Sequence, residues 1–400
     1  MPTIEERVFI AGAGPVGMTT AARLLGRGVP VTVFETGGAL SMESRASTFH
    51  PSTLDMLEEL YATKELERHG LRARYLQYRS KKEGILARFD FEGIKDLTRH
   101  PYRLQCEQWH LTRILHDLLK DNPDFEILFG QTVEDCSQDQ DSITLTISNG
   151  SEKISRNARF LIGADGASSK VRSALNIEFE GFTWPDRFLV LSTPFEFSEH
   201  ISGLDMVSYV ADPEQWHFFL KIPELWRVML PIPSNMTDEA ALDGDYGRRC
   251  LDRVLPGAGA AKVDHRTLYR VHQRVAKKFC SGRAFLVGDA AHINNPLGGM
   301  GMNGGIHDAF NLTELLVAGW NSQADLKQLE LYDRQRRAVT LNAVQTQTIQ
   351  NKRDLEASSK EDQANFRSRL RDALATRDGN RTYLQRLAMI ASLRQASQIK

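Results

Sequence analysis

Three runs of the chain carry residues whose types and spacing suit the grip of a large phosphate-bearing ligand. The first is Gly12-Ala13-Gly14-Pro15-Val16-Gly17, followed by Glu35. In a G-x-G-x-x-G arrangement the first glycine makes a tight turn and the second lets the backbone approach a pyrophosphate. The third lets a helix pack closely on the preceding strand, and an acidic residue ending the next strand accepts hydrogen bonds from ribose hydroxyls. The second run is Gly163-Ala164-Asp165-Gly166. The third starts at Gly288-Asp289-Ala290-Ala291-His292 and continues through Asn294-Asn295-Pro296-Leu297-Gly298-Gly299-Met300-Gly301-Met302-Asn303-Gly304-Gly305. An aspartate at the end of a buried strand is placed to bond a polyol chain, and a permissive backbone before a helix start offers N–H groups to an anion. Each run also has a plain structural reading: a strand-to-helix turn, an Asp-Gly turn, a helix-capping aspartate.

These residues need elements to position them. Val8–Ala11 reads as a buried strand, Pro15–Leu25 as the following helix and Val29–Glu35 as a second strand, the opening unit of a parallel dinucleotide-binding sheet. Leu54–Leu60 and Trp109–Leu119 read as helices. Arg74–Arg79, Ile85–Phe91, Ile143–Ser148, Arg159–Ile162 and Ala284–Val287 read as strands, and Ile306–Trp320 as a helix. Residues 181–270 change character. Rich in aromatics and proline, they suggest an antiparallel sheet in a second domain. The chain after Trp320 is helical in pattern with many Arg and Gln. Its Arg-rich helices leave two placements open, against their own chain or against the second subunit of a homodimer.

Glycine content is ordinary, 29 in 400 residues, but seven of them fall within residues 282–305. Charge is balanced, 50 Lys+Arg against 51 Asp+Glu, which excludes both the basic footprint of a nucleic-acid binder and the charge excess of a disordered chain. No apolar run reaches the about 18 residues that span a bilayer. The first apolar run, Val8 to Ala13, is too short for a signal-peptide core. Cys106, Cys136, Cys250 and Cys280 lie far apart with no CxxC pair, the pattern of reduced thiols in a cytoplasmic protein.

Taken together, in this order and spacing, the three runs resemble the FAD-dependent aromatic hydroxylases, the single-component flavoprotein monooxygenases typified by para-hydroxybenzoate hydroxylase. The resemblance covers the chain from Val8 to about Trp320. It implies an α/β fold: a Rossmann-like FAD-binding domain, an antiparallel β-sheet substrate domain and a C-terminal helical region. The FAD domain is expected to be discontinuous, over residues 1–70, 100–180 and 271–320. Residues 71–99 and 181–270 then form the substrate sheet, and 321–400 the helical region. Non-covalent FAD contacts are implied for Gly12, Gly14, Pro15, Val16, Gly17, Glu35, Asp165, Gly166, Asp289, Pro296, Gly299, Gly301, Met302 and Asn303. Arg45 matches an arginine after the second strand, and Gln105 a position before the next helix, that contact the cofactor in the family.

The implied activity is hydroxylation of a small aromatic or heteroaromatic substrate with NADH or NADPH and O2, through a flavin C4a-hydroperoxide. The cofactor carries the hard chemistry in such enzymes, so neither a side-chain nucleophile nor a metal is expected. His217, Tyr209 and Arg187 lie on strand candidates of the middle domain that could face the flavin ring. Each has a solvent-facing alternative. Pro296 opens the loop beside the ring, and His292 belongs to the flavin-binding turn. Two rival readings share the fold. A flavin-dependent halogenase would carry Trp-x-Trp-x-Ile-Pro, which Trp216-His217-Phe218-Phe219-Leu220-Lys221-Ile222-Pro223 does not match. A non-catalytic carrier would have abandoned the flavin motifs, which are intact.

Overall fold

A computed structural model describes residues 4–43, 45–320 and 326–400. The outermost residues of the first expected segment, and residues 321–325 of the expected helical region, lie outside it. Five parallel strands form the centre of the first sheet, in the order Ala284–Leu286, Lys153–Gly163, Ile4–Ala11, Val31–Glu35 and Phe125–Phe129. Val8, Phe9 and Ile10 are all buried, because a parallel strand covered on both faces has no polar side. At one edge Ile143–Ser148 pairs antiparallel with Lys153–Gly163 and shows alternating burial, as a half-covered strand must.

The register places the chemistry. Ala11 stands opposite both Gly163 and Phe34, and Gly163 opposite Leu286. The turns that follow, carrying Gly12, Asp165 and Asp289, with Glu35 at the end of its strand, therefore meet at one carboxyl edge. That edge is where open parallel sheets bind ligands.

The first turn explains its glycines. Gly12 has φ +101°, and a Cβ there would lie 2.5 Å from the Ala164 carbonyl oxygen. A Cβ on Gly17 would lie 2.0 Å from the Gly12 carbonyl oxygen, so the helix Pro15–Leu25 sits this close only with glycine.

The second sheet has the order His292–Ile293, His265–Ala276, Phe179–Thr193, Leu225–Ile232, His217–Ile222, Val207–Ala211, Tyr75–Ser80 and Gly84–Asp90. It is mixed rather than wholly antiparallel, because Tyr75–Ser80 runs parallel to Val207–Ala211. A connection of well over 100 residues separates those two strands, so no hairpin dictates their direction. Phe179–Thr193 and His265–Ala276 also overrun the expected boundaries at 181 and 270.

One face of this sheet packs on the helix Gly244–Val254 through Phe219, Leu251 and Val254. The other packs on C-terminal helices through Phe366, Leu370, Leu384 and Leu387. The described part of the helical region thus covers its own chain. Arg381 pairs with Asp96, and Arg367 with Glu83. Among the described residues no helix is long and apolar enough to cross a membrane.

Candidate active site

A cavity of about 1910 Å³ runs from the carboxyl edge of the parallel sheet to the face of the second sheet. Gly12, Gly14, Pro15, Val16 and Glu35 line one end of it. Both oxygens of Glu35 accept backbone N–H groups, from Ala13 and Gly37, each at 2.8 Å. The carboxylate is thereby fixed, and the remaining lone pairs are left for ribose hydroxyls.

Asp165 and Gly166 line the same end. One Asp165 oxygen accepts the Val171 N–H, while Oδ1 is buried with no partner among the described residues. Space in front of Gly14 is open, with nothing within 4 Å of a Cβ built there. An orphaned buried acceptor beside an open glycine turn is what a polyhydroxylated dinucleotide would complete, so these residues fit FAD. Arg172 ties the second run to the third, donating to the carbonyls of Ala290 and Ala167, both at 2.8 Å.

Asp289, Pro296, Gly299, Gly301 and Met302 line the middle of the cavity. The Asp289 carboxylate opens onto it, yet protein encloses the site. Burial pushes its carboxyl above the ordinary range, against His292 and Arg45. Arg45 lines the mouth and pairs with Glu43 at 2.5 Å. The helix after the loop starts at Gly301, five residues before the sequence reading of Ile306. Gly304 and Gly305 are weak helix formers, but a Cβ on Gly305 would lie 2.6 Å from Val16 Cγ2. Close packing on the first helix outweighs their intrinsic cost of about 1 kcal/mol each. The N–H groups of a helix start have no intrahelical acceptor and carry partial positive charge, and here they border the cavity.

Three of the expected cofactor residues act from behind the wall. Gly17 only lets the helix approach. Asn303 is buried; its Oδ1 accepts the His50 N–H, while Nδ2 donates to the carbonyls of Thr48 and Gly299. It locks the glycine loop to the strand before His50. Gln105 Oε1 accepts from Thr48, and its Nε2 is buried without a partner among the described residues.

Among the middle-domain candidates only Tyr209 reaches the cavity, stacked between Phe218 (ring centroids 4.5 Å apart) and Tyr78 (5.4 Å). His217 does not. Successive strand residues face opposite ways, so Phe218 and Leu220 line the cavity while His217 lies edge-on to Phe219 on the far face. Burial lowers its pKa to about 4. Arg187 is engaged by Asp238 and Pro233 outside the cavity. His292 lies behind the loop and contacts Asp308.

The sequence reading missed Arg103, Arg227 and the apolar wall of Val190, Val207, Leu220 and Met229. Arg227 bonds Ser47 and Glu107, both at 2.7 Å. Arg103 stands two residues before Gln105 on the strand Arg103–Gln105, and that spacing, which puts both on one face, is the signal that could have found it. Beneath the loop, Asp308 accepts the Gly288 N–H, pairs with Arg336 at 2.7 Å and bonds His292 at 2.7 Å. Burial pushes its carboxyl up, but His292 and Arg336 outweigh that and hold it below the ordinary range. Burial pushes the Cys106 and Cys280 thiols up to about 12.

The family model described as FAD binding domain matches residues 5–347, and the chain belongs to that family. It is 33% identical over 349 residues to para-nitrophenol 4-monooxygenase of Pseudomonas sp. (strain WBC-3), covering 85% of each chain. It is 31% identical over 358 residues to 6-hydroxy-3-succinoylpyridine 3-monooxygenase of Pseudomonas putida (strain DSM 28022 / S16), covering 88% of this chain and 90% of that one. Its fold matches the crystal structure of p-nitrophenol 4-monooxygenase from Pseudomonas putida DLL-E4 with a TM-score of 0.89 at 31% identity, over 97% of this chain and 99% of that one. The protein is an FAD-dependent aromatic monooxygenase with the α/β fold expected from its motifs. The halogenase alternative is not favoured, and the protein is an enzyme rather than a carrier.

Proposed function

We propose that the enzyme uses NAD(P)H and O2 to oxygenate a phenol or hydroxy-N-heteroaromatic at the ring carbon para to its hydroxyl. The observation that carries this reading is one continuous cavity. It joins the nucleotide-fitting edge to an apolar chamber closed by Phe218, Leu220, Met229 and Tyr209. The names of the two curated relatives support the position. Carbon 4 of para-nitrophenol and carbon 3 of 6-hydroxy-3-succinoylpyridine each lie para to the ring hydroxyl and already bear a substituent.

FAD, when bound, supplies the redox and oxygen-transfer chemistry, as cofactors do in this class of reaction. The chain's own residues then have three tasks. The apolar sheet face excludes water, which strengthens every electrostatic interaction inside. The Pro296–Met302 loop and the helix start at Gly301 offer N–H groups and a positive dipole end to negative charge in the middle of the cavity. Glu35, Asp165 and Asp289 fix the hydroxyl-bearing part of the cofactor. At the mouth, Arg45, Arg266, Arg270 and His265 form a basic rim that suits a phosphate-bearing nicotinamide nucleotide binding transiently. Four buried free thiols fit a reducing, cytoplasmic setting.

The test is a panel of para-substituted phenols and hydroxypyridines presented to the flavin-loaded enzyme. Accelerated NAD(P)H oxidation, with one oxygen atom from labelled O2 found in the product, is the expected outcome. A panel in which no aromatic compound accelerates NAD(P)H oxidation, or a product labelled only from water, would overturn the reading.

A further inference from the structure

The glycine loop at the middle of the cavity is backed by a helix of the C-terminal region. Gln345 Nε2 donates to the Ile293 carbonyl at 3.0 Å, Asn295 Nδ2 to the Thr348 carbonyl at 2.9 Å, and Asn351 Nδ2 to the Leu297 carbonyl at 3.0 Å. The contacts fall on every third residue of the helical side and every second residue of the loop side. Those are the spacings of one helix face and one extended face, so the two segments run together like a splint on a strip. Gln345 closes a π-helical turn, Thr340–Gln345, and the helix Thr346–Leu355 carries the other two. Such turns are rare and recur at functional sites. Thr348 and Asn351 lie beyond residue 347, where the family match ends.

The splint governs which way the loop's peptides face. Each carbonyl from Pro296 to Met300 is turned onto a nitrogen of the chain itself. Pro296 meets the Gly299 N–H, Leu297 the Asn351 amide, Gly298 the His50 ring, Gly299 the Asn303 amide and Met300 the Gly304 N–H. In a trans peptide the C=O and N–H point opposite ways, so carbonyls held inside the protein keep their negative ends off the cavity. Local backbone alone does not enforce this. Gly298 and Gly299 sit at φ +113° and +68°, and glycine accepts either sign of φ, so the Leu297–Gly298 peptide has no steric bar to turning over. Its carbonyl is held by Asn351 alone, a residue 7% exposed whose Oδ1 accepts from Gln347 Nε2 at 2.8 Å. That second bond fixes the amide with its donor toward Leu297. A Cβ on Gly298 would lie 2.9 Å from Asn351 Nδ2, so the contact and the glycine require each other.

We propose that Asn351 is a positioning residue for the flavin: by holding the Leu297 carbonyl it keeps the Leu297–Gly298 peptide from turning over and so keeps a carbonyl oxygen from facing the cofactor. Turned over, that peptide would carry its negative end to the side where Gly298 lines the cavity. Fixed dipoles stabilise charge only in the orientation in which they are held, and reversal of one converts attraction into repulsion. Reduced FAD, the more negative form, is the form that suffers. The inference rests on the placement of negative charge against this loop under Proposed function, and names what holds the loop there.

The experiment measures the midpoint potential of bound FAD, and separately the affinity of the FAD-free protein for oxidised FAD, in wild type and in Asn351→Leu. The variant keeps the size of the side chain and loses its donor. Reduced FAD is expected to be held about tenfold less tightly relative to oxidised FAD, the scale of one hydrogen bond to a charged group. For a two-electron couple that ratio is a fall of about 30 mV in midpoint potential. Affinity for oxidised FAD should change little.

An unchanged potential in Asn351→Leu would overturn the inference, and so would an equal loss of affinity for both redox states, which is what a merely structural role gives. A crystal structure of the FAD-loaded wild type is the second measurement, and it stands even where Asn351→Leu fails to fold. The Leu297 carbonyl is expected on Asn351 there, and a carbonyl turned toward the cofactor would also overturn the inference. Neither NAD(P)H nor an aromatic compound enters these measurements, so failure of the substrate panel and failure of the role of Asn351 are separate results.

Discussion

Two buried arginines, Arg336 and Arg103, answer to different demands. Arg336, from the helix Leu326–Val339, reaches under the loop to Asp308, which also holds the Gly288 N–H and His292. Arg103 lines the chamber and meets no carboxylate among the described residues. Residue type and burial are the same. The difference lies in whether the chain itself supplies the counter-charge. A cation matched by its own carboxylate is part of the architecture, whereas the unmatched one stands at the cavity wall.

The contrast breaks most sharply at Asp308. Asp308→Asn removes the only carboxylate among the described residues paired with Arg336 and leaves a buried cation and His292 facing an amide, which costs about 3–5 kcal/mol. A large fall in melting temperature, with flavin lost as Gly288 loses its acceptor, is the expected result. A melting temperature within a degree or two of wild type would show that this cluster is not architectural. Asp289→Asn is the next test, one residue from Gly288 but on the cavity side. Its carboxylate makes no hydrogen bond to another described residue, so FAD affinity should fall about tenfold to a hundredfold, the loss expected for charge-assisted bonds. The melting of the protein stripped of FAD should not change. Destabilised FAD-free protein would move Asp289 to the architectural side of the comparison.

Much of the FAD end is legible in the chain because its demands are local. Gly12 turns at positive φ against Ala164, and Gly17 touches the Gly12 carbonyl. No other residue type satisfies either position, so the requirement is written in residue identity. The helix start is legible to within five residues. What misled the reading there was propensity, since the contact that lets Gly305 sit in a helix comes from Val16, far away in sequence.

The chamber is less legible because its demands are non-local. Arg103 belongs to a three-stranded sheet and Tyr209 to the large mixed sheet, and nothing in either stretch announces the other. The strand containing His217 is evident from its pattern, but alternation defines two faces without saying which of them meets a ligand. Only the docking of the C-terminal helices on one face and of Gly244–Val254 on the other decides it.

His217 gives the smallest effect and the cleanest check on that face assignment. Its pKa falls from 6.5 to about 4 through burial, so between those values the unfolded chain binds a proton that the folded one refuses. Stability must therefore rise with pH through this window and be lost as pH drops, by at most about 1.4 kcal/mol per pH unit from this residue. His307, held to about 3 by burial and then by Arg336, adds to the same acid limb and extends it downward. His217→Phe cannot take up that proton, so its urea midpoint should fall less steeply than wild type between pH 6.5 and about 4. The kcat and KM for an accepted phenol at pH 8 should stay within about twofold, the scale of a surface or off-site change of under 0.5 kcal/mol. A KM that rises severalfold in His217→Phe at pH 8 would put His217 on the cavity face and reverse the parity on which the chamber is built.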